Sequence, residues 1–216
     1  GIGYAIATQP EGPYVDQGKL FLSSEIGVNN SIDPFYIEEN GTKYLFWGSF
    51  QGIYAIELAA DGKSVTGEKT HIASNHLEAS YIYHKDGYYY YFGSQGSCCD
   101  GVNSSYHVKV GRSENILGPY TDKNGNKLTD GAFGELVVER NSGNAGFVGP
   151  GHNAEIVVDE MGTEWFLYHG IPKSDPLLDN GASRRPLLLD KIIWENGWPK
   201  IQGEEPSLAT QQGPVF

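Results

Sequence analysis

The chain has 216 residues and a formal net charge of −12, enough length to bury a sizeable core. That charge balance lacks the clustered Lys and Arg that phosphate recognition needs, which argues against nucleic acid or an anionic membrane surface as partner. No stretch approaches the roughly 20 apolar residues needed to cross a bilayer as a helix.

Helix signals are scarce. The 29 glycines and 11 prolines punctuate the chain, and no apolar i, i+3, i+4 pattern persists for three turns. Strand signals are dense. "FYIEENGTKYLFWG" reads as two strands joined around Asn40-Gly41, a dipeptide suited to the positive φ values of tight hairpins. "SYIYHKDGYYYYFG" repeats that pattern around Asp86-Gly87, and "EIVVDEMGTEWFLYHG" around Met161-Gly162. The only two cysteines, Cys98 and Cys99, are neighbours, which excludes a disulfide framework and leaves either two thiols or a vicinal ring.

Aligned on their glycines, the first two modules each place a carboxylic acid 15 residues ahead: Asp33 before Gly48 and Glu78 before Gly93. The third module has His152-Asn153 ahead of Gly170. A second echo, Gly-Pro-Tyr-x-Asp, recurs at residues 12–16 and 118–122. Repeats of this length suit the four-stranded blades of a β-propeller. The first strands of the blades line a common channel, so the spacing predicts that Asp33, Glu78 and His152 meet at one mouth.

These residues resemble the five-bladed β-propeller glycoside hydrolases of family 43, and within it the arabinan endo-1,5-α-L-arabinosidases. The motifs are "NSIDPFYI", "YLFWGSFQGIYAIEL", "LEASYIY", "GSCCDGVNSSYHVKVGRSENILGPYTDKNG", "GPGHNAEIVVDEMGTEWFLYHG" and "DKIIWENGWPKI". The Cys-Cys-x-Gly-x-x-Ser-x-Tyr and Gly-Pro-Gly-His stretches are the specific ones. The resemblance implies an all-β fold and an inverting mechanism with Glu78 as general acid and Asp33 orienting it and tuning its pKa. It also implies contacts to an arabinan or arabino-oligosaccharide chain from Asn30, Ser31, Ile32, Asp33, Ser49 and Phe50. His152 would look toward a cation, calcium in the relatives, held largely by water in the channel.

The chemistry is independently sensible. Glycosidic cleavage needs one carboxyl protonated to serve the leaving oxygen while another activates water. A glutamate hemmed by aromatics such as Tyr81, with Asp33 nearby, favours the protonated form. The family's base Asp belongs to an earlier blade, and here only Asp16 precedes Asp33. Residues 1–216 are therefore expected to form one propeller domain, N-terminally incomplete, holding the C-terminal blades and completed by a further segment in cis or from another chain. The resemblance places the protein outside the cytoplasm, secreted, periplasmic or at the cell surface. A non-catalytic carbohydrate-binding propeller and an exo-acting arabinofuranosidase or xylosidase of the same family are the rival readings.

Overall fold

A computed structural model describes residues 1–216. The chain is all β apart from a four-residue helix and three short 3-10 turns. It opens with a two-stranded hairpin, β1 (Ile2–Ile6) and β2 (Val15–Phe21). The first full sheet follows as β3 (Phe35–Glu39), β4 (Thr42–Trp47), β5 (Ile53–Leu58) and β6 (Val65–Ala73), hydrogen-bonded in chain order. The second comprises β7 (Glu78–Lys85), β8 (Tyr88–Gln95), β9 (His107–Ser113) and β10 (Glu135–Val138), again in chain order. In the third, β11 (Phe147–Gly151) and β12 (Ile156–Val158) share one side of β13 (Glu164–Pro172), with β14 (Leu187–Glu195) and β15 (Trp198–Ile201) beyond it.

Both expected glycine hairpins are present: Asn40-Gly41 and Asp86-Gly87 carry positive φ at both residues, as does Asn196-Gly197 between β14 and β15. The Met161-Gly162 turn is built differently. Only Gly162 is left-handed, and the Asp159 carboxylate accepts hydrogen bonds from the Met161 and Thr163 amides and from Trp165 Nε1. A short acidic side chain organises that turn from within.

The sheets pack face to face in sequence order. Ile2 and Phe21 of the hairpin meet Leu45, Trp47 and Ile56 of the first sheet. Phe46, Ile53 and Ile72 of the first meet Tyr89 and Tyr91 of the second, while Tyr90 and Phe92 turn the other way onto Phe166 and Tyr168 of the third. The run of four tyrosines thus serves a strand covered on both faces, and each fully buried ring contributes about 2–3 kcal/mol. Trp47 and Trp165 are core residues, and Trp194 packs at the edge of the cluster between the second and third sheets.

The Gly-Pro-Tyr echo is structural. Tyr14 donates to the Pro10 carbonyl and Tyr120 to that of Ile116, each four residues back. Tyr120 is wholly buried against the first sheet, whereas Tyr14 is 62% exposed on the hairpin. The hairpin therefore corresponds to the outer pair β9–β10 of the second sheet. Cys98 and Cys99 are joined in a disulfide.

Candidate active site

The first strand of each sheet carries a kink. Asp33, Ala79 and His152 have φ of 53°, 58° and 46°, a left-handed conformation uncommon for residues with a Cβ. Such conformations cost of order 1–3 kcal/mol and cluster at functional sites. Each marks a register slip. The Gly48 amide bonds the Ile32 carbonyl while Phe35 pairs with Phe46. Glu78 pairs with Ser94 while Tyr81 pairs with Phe92. Gly151 pairs with His169 while Ile156 pairs with Phe166. Bulges of this kind re-aim side chains at the end of a strand.

These ladders correct the glycine alignment. Phe46 and Phe92 are equivalent, so Gly48 corresponds to Ser94 rather than Gly93, Asp33 to Ala79, and Glu78 to Ile32. The two carboxylates arise from adjacent positions of the bulge, not from one repeated position, yet they still converge. The Asp33 carboxyl is held above its ordinary range chiefly by burial, with the Glu78 charge acting in the same direction and His152 opposing it. The nearby Ala79 amide opposes the rise as well.

Glu78 is 8% exposed. Ser49 Oγ donates to one of its oxygens at 2.6 Å and Tyr106 Oη to the other. The aromatic partner is therefore Tyr106, rather than the expected Tyr81, whose hydroxyl accepts the Ile156 amide at 2.9 Å. Tyr106 is 1% exposed and lies parallel to His169, with ring centroids 5.8 Å apart. Ser94, opposite Glu78 in the ladder, accepts the His152 amide at 2.8 Å.

Two glycines explain why the specific motifs travel together. A Cβ on Gly149 would overlap Ser104, and one on Gly151 would overlap the Tyr106 ring. Ser104 and Tyr106 end the Cys-Cys stretch; Gly149 and Gly151 begin the Gly-Pro-Gly-His stretch. Tyr106 and Ser94 were not among the sequence-predicted site residues, and this complementarity is the signal that singles out Tyr106.

Beside the carboxylates runs a cleft of about 750 Å³, lined among others by Asp33, Tyr36, Tyr81, Tyr83, His152 and Glu155. Asp33 and His152 thus share it, and Glu78 does not line it. The expected sugar contacts divide. Ser31 is fully buried, donating to the Val28 carbonyl and accepting from Trp47 Nε1, so its side chain braces the loop and does not reach the cleft. Asn30 holds the Ser49 carbonyl at 3.0 Å, and the Ser49 hydroxyl is occupied by Glu78. Ile32 and Phe50, 42% and 37% exposed, present apolar surface.

Calcium takes six to eight oxygen ligands, whereas His152 offers nitrogen, and no three His, Cys, Asp or Glu side chains gather to hold a metal. The buried Asn153 Oδ1 has no hydrogen-bond partner, but one oxygen is not a cage. These side chains do not make a calcium cage by themselves; the expected cation is one held largely by water.

The family model for glycosyl hydrolases family 43 matches residues 1–199. The chain is 34% identical over 206 residues to the extracellular endo-α-(1→5)-L-arabinanase 1 of Bacillus subtilis, covering 92% of this chain and 59% of the relative. It is 31% identical over 195 residues to the extracellular exo-α-(1→5)-L-arabinofuranosidase of Cellvibrio japonicus, covering 82% and 53%. Among solved structures, an exo-1,5-α-L-arabinanase from a bovine ruminal metagenomic library superposes with a TM-score of 0.75 at 34% identity, over 91% of this chain and 66% of that one. The Cellvibrio cellulosa α-L-arabinanase complexed with arabinohexaose does so with a TM-score of 0.75 at 28% identity, over 91% and 65%. The chain thus spans little more than half the length of these curated relatives, and its sheets match about two thirds of the family's propeller structures, as a partial propeller does. The chain belongs to glycoside hydrolase family 43.

Proposed function

We propose that this chain is the C-terminal part of a five-bladed propeller, one domain, that hydrolyses α-1,5-linked L-arabinan with inversion. The observation that carries the reading is the approach of the Asp33 and Glu78 carboxyls, which come from two successive sheets and meet at one end of their first strands. Glu78, protonated, gives its proton to the leaving glycosidic oxygen. Asp33 faces it, biases its protonation and holds the mouth polar. A general base removes a proton from the water that attacks the anomeric carbon from the opposite side.

In this reading the base lies outside these residues. Asp16, the only aspartate ahead of Asp33, is exposed on β2, accepts the Gly18 amide at 2.7 Å and does not line the cleft. A linear arabinofuranosyl chain as substrate is supported by the relatives' arabinanase activities and by the arabinohexaose in one of them. Phe50 and Ile32 offer the apolar area against which a sugar face rests. Relatives bearing "extracellular" in their names support export to the cell surface or beyond.

The test is proton NMR of the first products from linear α-1,5-arabinan treated with the enzyme that contains this chain. Inversion predicts that the β-anomer appears first and mutarotates afterwards. An α-anomer formed first, or cleavage of xylan with arabinan untouched, contradicts the reading.

A further inference from the structure

Glu78 is held by a hydrogen bond from the segment that leads into β9: the Tyr106 hydroxyl donates to one of its oxygens. Ser94, which pairs with Glu78 in the ladder, accepts the His152 amide at 2.8 Å and so ties the third sheet to the strand beside the acid. Burial, together with the Glu78 charge, holds the Tyr106 phenol far above its ordinary range; it keeps its proton and acts as a donor. The ring itself is clamped between the Gly151 backbone and His169.

We infer that Tyr106, its ring held between Gly151 and His169, is a positioning residue that fixes the rotamer of Glu78. The inference rests on the reading of Glu78 as the general acid. Ser49 holds the other carboxyl oxygen from the first sheet, so the acid is gripped from two sides. Tyr106 touches Glu78 and not the cleft lining, so its effect falls on turnover rather than on substrate binding. A donor to the ionised carboxylate favours release of the proton. The other titratable groups facing this locus are Asp33, Tyr91, His152 and, behind the phenol, His169; none is altered in the variants below.

The test compares Tyr106→Phe, Gly151→Ala and Glu78→Gln in the enzyme that contains this chain, on linear arabinan. Tyr106→Phe keeps the ring and its stacking while deleting the donor. It is expected to lower kcat by about tenfold with KM nearly unchanged and to move the alkaline limb of the pH profile upward by about 1 unit, the scale set by one hydrogen bond to an ionised group. Gly151→Ala, whose Cβ would overlap the ring and push the phenol off Glu78, is expected to move the limb the same way by less, and carries the test alone if the phenylalanine variant does not fold. A folded variant with an unmoved limb and wild-type kcat, beside a Glu78→Gln that has lost turnover, overturns this inference alone. Full turnover by Glu78→Gln overturns the reading beneath it.

Discussion

The ring of Tyr106 packs against the bare backbone of Gly151, where a single added methyl would overlap it. Gly151→Ala forces the phenol or the strand to move, and overpacking of this kind costs about 1–3 kcal/mol. A Tm lower by about 3–9 °C follows for a chain of this size. Gly143→Ala, where an added Cβ meets nothing within 4 Å, is the control expected to leave Tm unchanged. Equal melting curves for the two variants would remove the clamp from the account.

His169 makes a pH prediction with a definite sign. Both ring nitrogens are buried without partners, and burial lowers its pKa from 6.5 to about 4. Between those values the unfolded chain binds a proton that the folded chain refuses, so stability falls as pH drops from 6.5 toward 4. The loss reaches about 3 kcal/mol. His169→Phe keeps a ring against Tyr106 and removes this share of the acid sensitivity. Urea midpoints at pH 7 and 4.5 measure it, and an unchanged difference between the two pH values would contradict it.

The Cys98–Cys99 disulfide closes a ring of two neighbouring residues. It therefore constrains almost none of the unfolded chain, which is where most disulfides act. The Cys98→Ser, Cys99→Ser double variant is expected to keep its Tm to within about 2 °C, in contrast to the several kcal/mol lost when a long-loop disulfide is removed. A fall of 10 °C or more would show that the bond organises the segment leading to Ser104 and Tyr106.

The strands were legible because their signals are local. Asn-Gly and Asp-Gly pairs name their own hairpins, and aromatic runs announce strands buried on both faces. The Met161-Gly162 turn was less legible, because its conformation is set by Asp159 reaching forward to two amides and an indole. The convergence of Asp33, Glu78 and His152 followed from the repeat, but its register did not. The bulges at Asp33 and Ala79 are not encoded by the glycines that aligned the modules; they emerge only when the ladders are paired. Ser31 illustrates a further limit. A motif places it beside the site, and only tertiary packing under Trp47 turns its hydroxyl inward. Tyr106 contacts Glu78 across 28 residues, a separation that no local pattern reports.

The proposal that the base lies outside these residues carries its own expectation. General-base assistance is worth about 10²–10⁴-fold, and the exposed Tyr14 stands where its counterpart Tyr120 is buried by a neighbouring sheet. The 216-residue chain alone is expected to show essentially no turnover of linear arabinan. Its solution mass, measured beside the assay, is expected to reveal self-association. Robust turnover by a monomer would place the base within the chain, with Asp16 the first residue to replace.

The most direct measurement compares Glu78→Gln on two substrates in the enzyme that contains this chain. Glutamine keeps the size of the side chain and its contacts with Ser49 and Tyr106 but has no proton to give. Linear arabinan has a poor leaving group and needs that proton; an aryl arabinofuranoside with an activated phenol hardly does. The account predicts a fall in kcat/KM of about 10²–10⁴-fold on arabinan and a far smaller one on the activated substrate. Equal losses on both would contradict Glu78 as the acid.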